Sequence, residues 1–146
     1  MALGVSRDVV ATAEQMLADA HELVLSGWCQ GMTAQDEEGR SIEPSSAFAR
    51  RWSAAGALER VWQRAHDRDD AALEAYERAS LALSAAIKDI PQRWNDATGR
   101  RVDEVLDGLA SAVRLLHPGP RSPLAEVEDF VEELHRGDGP ALFFAE

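Results

Sequence analysis

Three short segments carry the side chains best suited to chemistry. In the first, Gly27-Trp28-Cys29-Gln30-Gly31, a thiol and an amide follow an indole between two glycines. A thiol becomes a nucleophile when its pKa is lowered and a base such as histidine lies within hydrogen-bond reach. None of the four histidines, His21, His66, His117 and His135, stands at a spacing that signals such a pair. The simpler expectation is that Trp28 and Cys29 plug the core behind the first helix, free cysteine being among the most buried residue types. In the second segment, Trp94-Asn95-Asp96 with Gly99-Arg100, Asp96 could serve as acceptor or base and Arg100 as an anion clamp. The plainer reading is a structural turn, since Asn and Asp favour turns and caps, Gly99 tolerates a positive φ and Trp94 anchors the turn in the core. The third, Ala54-Ala55-Gly56-Ala57, has almost no side-chain bulk and lets another segment approach closely.

If the helices pack antiparallel, segments 27–31, 54–57 and 94–100 converge. The ligand-binding candidates are then Trp28, Cys29, Gln30, Trp52, Trp94, Asn95, Asp96 and Arg100, because small-molecule sites are aromatic with a few convergent polar groups. Against this, aromatics at helical spacing are more often core, and buried indole N–H groups need partners. Residues 36–40 read as a solvated loop tip. Calcium-loop, phosphate-loop, dinucleotide, Gly-x-Ser-x-Gly and His-Glu-x-x-His patterns do not occur. No metal and no cofactor is expected, and no catalytic residue is assigned.

Helices must position these segments. From residue 6 to 26, Val9, Val10, Ala13, Met16, Leu17, Ala20, Leu23 and Val24 recur at helical spacing, with Ser6 as N-cap and Gly27 as the stop. Residues 27–43 are polar and glycine-broken, a loop with room for a short hairpin around the turn at 36–39. A second helix is expected from Pro44 or Ser46, with Phe48, Trp52, Ala55, Leu58, Trp62 and Ala65 on one face. Leu73, Tyr76, Ser80, Leu83, Ile87 and Ile90 form a coiled-coil-like seam on a third helix that Pro91 ends. After the turn at 94–99, a fourth carries Val102, Val105, Leu106, Leu109, Val113 and Leu116 inward. Pro118-Gly119-Pro120 interrupts, and a fifth follows from Ser122-Pro123 with the stripe Leu124, Val127, Phe130, Val131 and Leu134, ending at Gly137. The expected fold is all-α, a compact bundle of about five helices with a Gly-rich loop after the first. Residues 1–117 form the core domain, and residues 118–146 an acidic helix and apolar tail docked on the core or on a partner.

In order and spacing, Gly27-Trp28-Cys29-Gln30-Gly31, then Ala34, Asp36 and Gly39, then Trp52-x-Ala54-x-Gly56-Ala57-Leu58, then Trp94-Asn95-Asp96-x-x-Gly99-Arg100 and Glu104-Val105 match a pattern. On these residues the chain, over about residues 8–113, resembles a family of small bacterial and phage proteins known only as a domain of unknown function. The resemblance implies a compact, mostly helical domain and carries over no activity. Where that family typically has Cys after Trp52, this chain has Ser53, which argues against a role needing a Cys pair with Cys29. Where it tends to have a Thr cap before the fourth helix, this chain has Arg101, which moves the expected cap to Thr98 or Asp96.

Composition narrows the partners. With 146 residues, 45% hydrophobic and 28% charged, the chain is sized and composed for one core rather than for disorder. A net charge of -11, from 26 acidic and 15 basic residues, argues against direct nucleic-acid binding, which relies on Lys and Arg to release counterions. It leaves a nucleic-acid mimic as a minor option. A lone cysteine suits a reducing cytoplasm, and no stretch is long and apolar enough for a signal peptide or a membrane span. Over residues 123–146, 7 acidic residues against 1 basic give -6. Phe130, Leu134, Leu142, Phe143 and Phe144 there are candidates for contact with a protein partner or a second copy, or for folding back on the bundle. Two functions stand: a non-catalytic interaction or regulatory module, and a small-molecule binder or small enzyme with the pocket above.

Overall fold

The computed structural model describes residues 7–65 and 67–117, and over these the chain is mostly helical, as expected. The helix α1 (Arg7–Ser26) turns Val9, Ala13, Met16, Leu17, Ala20 and Val24 inward. Gly27 closes it, its N–H donating to Leu23 O at 3.0 Å and Val24 O at 3.2 Å. A β-carbon on Gly27 would overlap the Arg50 carbonyl, so the strand that follows can pass this close only over glycine.

The loop then makes a two-stranded antiparallel sheet, β1 (Ala34–Gln35) with β2 (Arg51–Trp52), and Trp28 bridges Trp52 on its other side. The hairpin-like turn at 36–39 is present, Gln35 bridging Ser41 across it. The helix α2 (Ala54–Gln63) starts about ten residues later than its expected start at Pro44. Long-range pairing overrides the local Pro and Ser start signals. Trp52 N–H donates to Gly27 O at 3.0 Å and Arg50 N–H to Gln35 O at 2.7 Å, which holds 50–52 extended. Ser53 is the N-cap, its Oγ accepting from Gly56 N–H at 3.0 Å. Of the expected α2 face, Phe48 stands 70% exposed in the preceding loop and Trp52 lies on β2.

The helix α3 (Asp70–Ile87) packs through Ala75, Ala79, Ala82 and Leu83; of the expected seam, Leu83 is buried and Tyr76 and Ile87 pack against the core, while Leu73 and Ile90 face solvent. Alanines let α3 approach α1 and α5 closely, and interior packing at native density rewards that approach over burial of the larger Leu73. The helix ends at Lys88 in the left-handed region, and Pro91 begins rather than ends a helix, at the first turn of the short α4 (Pro91–Asn95). Trp94 and Asn95 are therefore helical, with the turn confined to 96–99. The helix α5 (Val102–Leu116) packs on α1 and α3 and buries Val105, Leu109, Ala112 and Leu116. Its N-cap is Arg101, neither Thr98 nor Asp96. The Arg101 N–H donates to Glu104 Oε1 at 2.9 Å, so the third helical residue supplies the cap from within. Among the described residues there are five helices, α4 taking a place the sequence reading gave to a turn. The expected helix at 122–137 lies outside them.

Candidate functional site

The three segments meet around Asn95, which is fully buried. Its Oδ1 accepts from Trp28 Nε1 at 2.8 Å and from Ala54 N–H, at the start of α2, at 3.0 Å. Its Nδ2 donates to Cys29 O at 3.1 Å and to Asp96 Oδ1 at 3.0 Å. One amide thus uses its full capacity of two acceptances and two donations to tie the 27–31 loop, α2 and α4 together.

Neighbouring groups repeat the stitching. Gln30 Nε2 donates to Asn95 O at 2.9 Å and Ala97 O at 3.1 Å, and Gly31 N–H donates to Asp96 Oδ1 at 2.9 Å. Gln92, one turn before Asp96 on α4, donates to both of its carboxylate oxygens at 3.1 Å and accepts from Ser53 Oγ at 2.8 Å. Gly56 closes the other side, for a β-carbon there would overlap the Thr33 carbonyl, so the small-residue run admits the loop as the sequence suggested.

The electrostatics follow from this enclosure. Burial pushes the Cys29 thiol up to about 11; the Asp96 carboxylate adds to the rise and Arg51 opposes it. The thiol is free of any disulfide and contacts Met32 O at 3.7 Å. For Asp96, burial raises the carboxyl pKa, but donation from Gly31 N–H, Asn95 and Gln92 outweighs it and holds the group below its usual range. A thiol held protonated and a carboxylate held ionised are both poorly poised for nucleophilic or base chemistry near neutral pH.

The aromatics are held in place too. Trp52 is buried, its Nε1 donating to Pro44 O at 3.0 Å under the Arg60 guanidinium at 4.9 Å. Arg100 lies 4.1 Å over the Trp94 ring, with its Nε donating to Trp94 O at 2.9 Å and its Nη1 3.5 Å from Glu104 Oε1. Trp62 stacks on Tyr76 with centroids 5.3 Å apart. Seven of the eight ligand candidates, Trp28, Cys29, Gln30, Trp94, Asn95, Asp96 and Arg100, therefore sit in or beside one cluster. Trp52 faces away toward Pro44, joined to the cluster by its backbone bond with Cys29 N–H at 3.2 Å. Phe130, Leu134, Leu142, Phe143 and Phe144 lie outside the described residues.

Two members went unread in the sequence. Gln92 carried a signal, since Pro91 at a helix start places Gln92 and Asp96 one turn apart. Ser53 carried another, as a Ser directly before the apolar run of α2. Among the described residues, no group of three or more His, Cys, Asp or Glu could hold a metal ion, and no helix is long and apolar enough to cross a membrane. Two open grooves lie away from the cluster, one between α1 and α2 and one at the 36–50 loop.

Neither the curated proteins nor the solved structures contain a match to the chain. A family model, described as a family of unknown function (DUF6197), matches residues 8–115 and so spans every residue of the Asn95 cluster. The chain belongs to that family, DUF6197.

Proposed function

We propose that this protein is a non-catalytic protein-interaction or regulatory module. One observation carries the reading: the chemistry-bearing side chains of the Asn95 cluster bond one another and the backbone, with Asn95 at full capacity and the Cys29 thiol pushed up to about 11. A cluster bonded in this way fixes the geometry of a bundle. The acidic balance of -11 and the apolar-acidic sequence of 123–146, with Phe130, Leu134, Leu142, Phe143 and Phe144, supply groups for contact with a protein or a second copy. We place the module in the cytoplasm of a bacterial or phage-infected cell, without direct contact to nucleic acid.

The convergence of Trp28, Trp94 and Arg100 on one junction favours, as a second reading, a small ligand seated where 27–31, 54–57 and 94–100 meet. Native mass spectrometry of the full chain taken gently from its own cells separates the two. A protein-sized addition or a clean multiple of 16.0 kDa is the expected result. An added mass of a few hundred daltons transfers the assignment to the small-ligand reading, and a bare monomer refutes the interaction module.

A further inference from the structure

The α1–α2 groove has a volume of about 680 Å³ and an apolar floor of Met16, Leu23, Val61 and Ala65. Its two rims carry opposite charge: Asp19 and Glu22 on α1, Arg60 and Arg64 at the end of α2. Among the described residues, none of these four charges lies in an ion pair. The arginines are held by backbone carbonyls of the 44–46 loop instead. Arg60 Nη1 donates to Pro44 O at 2.8 Å and Ser46 O at 2.9 Å, and Arg64 Nη2 to Ser45 O at 3.0 Å. Burial first, then the nearby Arg64 and Arg50 charges, lower the Arg60 pKa.

Resting on the interaction-module reading, we infer that this groove docks an amphipathic helix of a protein partner, its apolar stripe flanked by acidic residues on one edge and basic residues on the other. The groove follows α1 from Thr12 to Ser26, which at 1.5 Å per residue is roughly 21 Å or four helical turns. An apolar stripe matches the floor, an acidic edge meets Arg60 and Arg64, and a basic edge meets Asp19 and Glu22. Because the carbonyls already fix the guanidiniums, little side-chain freedom is lost when the acidic edge arrives.

The test uses the full chain and three labelled 18-residue helical peptides with one leucine stripe, flanked by Glu and Lys, by Glu on both edges, or by Lys on both edges. Fluorescence anisotropy is expected to rank the mixed-edge peptide at least tenfold tighter than either uniform one. In the exposed-site variant D19K/E22K, which makes both rims basic, the preference passes to the all-Glu peptide. Equal affinities, no binding at millimolar peptide, or an unchanged ranking in the variant overturns the proposal. Slow hydrogen exchange in 123–136 that quickens in D19K/E22K would give the groove to the chain's own segment, and a dimer lost in that variant would give it to a second copy. Either result also overturns it. A protein partner found by native mass spectrometry while all peptides fail leaves the module reading standing and removes this groove as its surface.

Discussion

Replacing Asn95 by Asp changes one atom's chemistry while keeping its shape, and the response to pH reports what that atom does. The introduced carboxyl still accepts from Trp28 Nε1 and Ala54 N–H through Oδ1, but an ionised Oδ2 faces Cys29 O and, 3.0 Å away, Asp96 Oδ1. Two carboxylate charges at that separation repel by about 5.5 kcal/mol at an effective dielectric of 20. Keeping one shared proton on the pair is cheaper. With an unfolded pKa near 3.9, holding it at pH 7 costs about 1.36 × 3.1, or roughly 4 kcal/mol. One proton satisfies only one of the two acceptors, which adds about 1 kcal/mol for the other.

The folded pKa of the introduced group is thus raised. Its stabilising proton is fully present below the unfolded pKa and is lost as pH rises through the folded one. Urea unfolding followed by tryptophan fluorescence is expected to show N95D about 4–5 kcal/mol less stable than the parent at pH 7. The gap narrows by about 1.4 kcal/mol per pH unit to roughly 2 kcal/mol at pH 5. N95A, which removes all four bonds, is expected to lose about 3–6 kcal/mol with little pH dependence, since it leaves three or more buried groups unpaired. A loss under about 1.5 kcal/mol for N95D at pH 7, or a loss that stays constant with pH, refutes Asn95 as the buried tie between the three segments.

The Cys29 thiol, raised from 9.0 to about 11, should react with a disulfide reagent at pH 8 at least about tenfold slower in the folded than in the urea-unfolded chain, the roughly hundredfold loss of thiolate being partly offset by its greater nucleophilicity. Because that pKa is raised, the stability linked to the neutral thiol is present below pH 9 and disappears toward about 11, measurable as a falling melting temperature over that window. Gly56→Ala, favourable by about 1 kcal/mol from helix propensity alone, should instead destabilise by more than about 2 kcal/mol in the same urea assay, because its methyl group meets the Thr33 carbonyl. Lys88→Gly should raise stability by about 0.5–1 kcal/mol by relieving a φ of 58°, and a destabilised variant would show that the Lys88 side chain holds this cap.

The sequence by itself determined α1 and α5. Each buries an apolar stripe with a 3.6-residue period, and one ends at a glycine that can hardly be anything else, so local rules and tertiary packing agree. It allowed 27–31, 54–57 and 94–100 to converge only on a condition of helix packing, and the packed structure is what joins them at Asn95. Only the tertiary structure decided where α2 begins. Pro44 and Ser46 satisfy every local condition for a helix start, yet Trp52 and Arg50 find sheet partners in Gly27 and Gln35 that are distant in sequence. It also decided how far α3 turns from the Leu83 seam toward its alanines, because the closeness allowed by Ala75, Ala79 and Ala82 becomes favourable only when α1 and α5 are there to fill it. The role of Asn95 was likewise out of reach. An amide in a Trp-Asn-Asp run reads as a turn former until Ala54 N–H and the Trp28 indole, 41 and 67 residues away, are brought to its oxygen. Local periodicity is written along the chain, whereas the pairing of buried polar groups depends on which distant donors the packed helices leave without water.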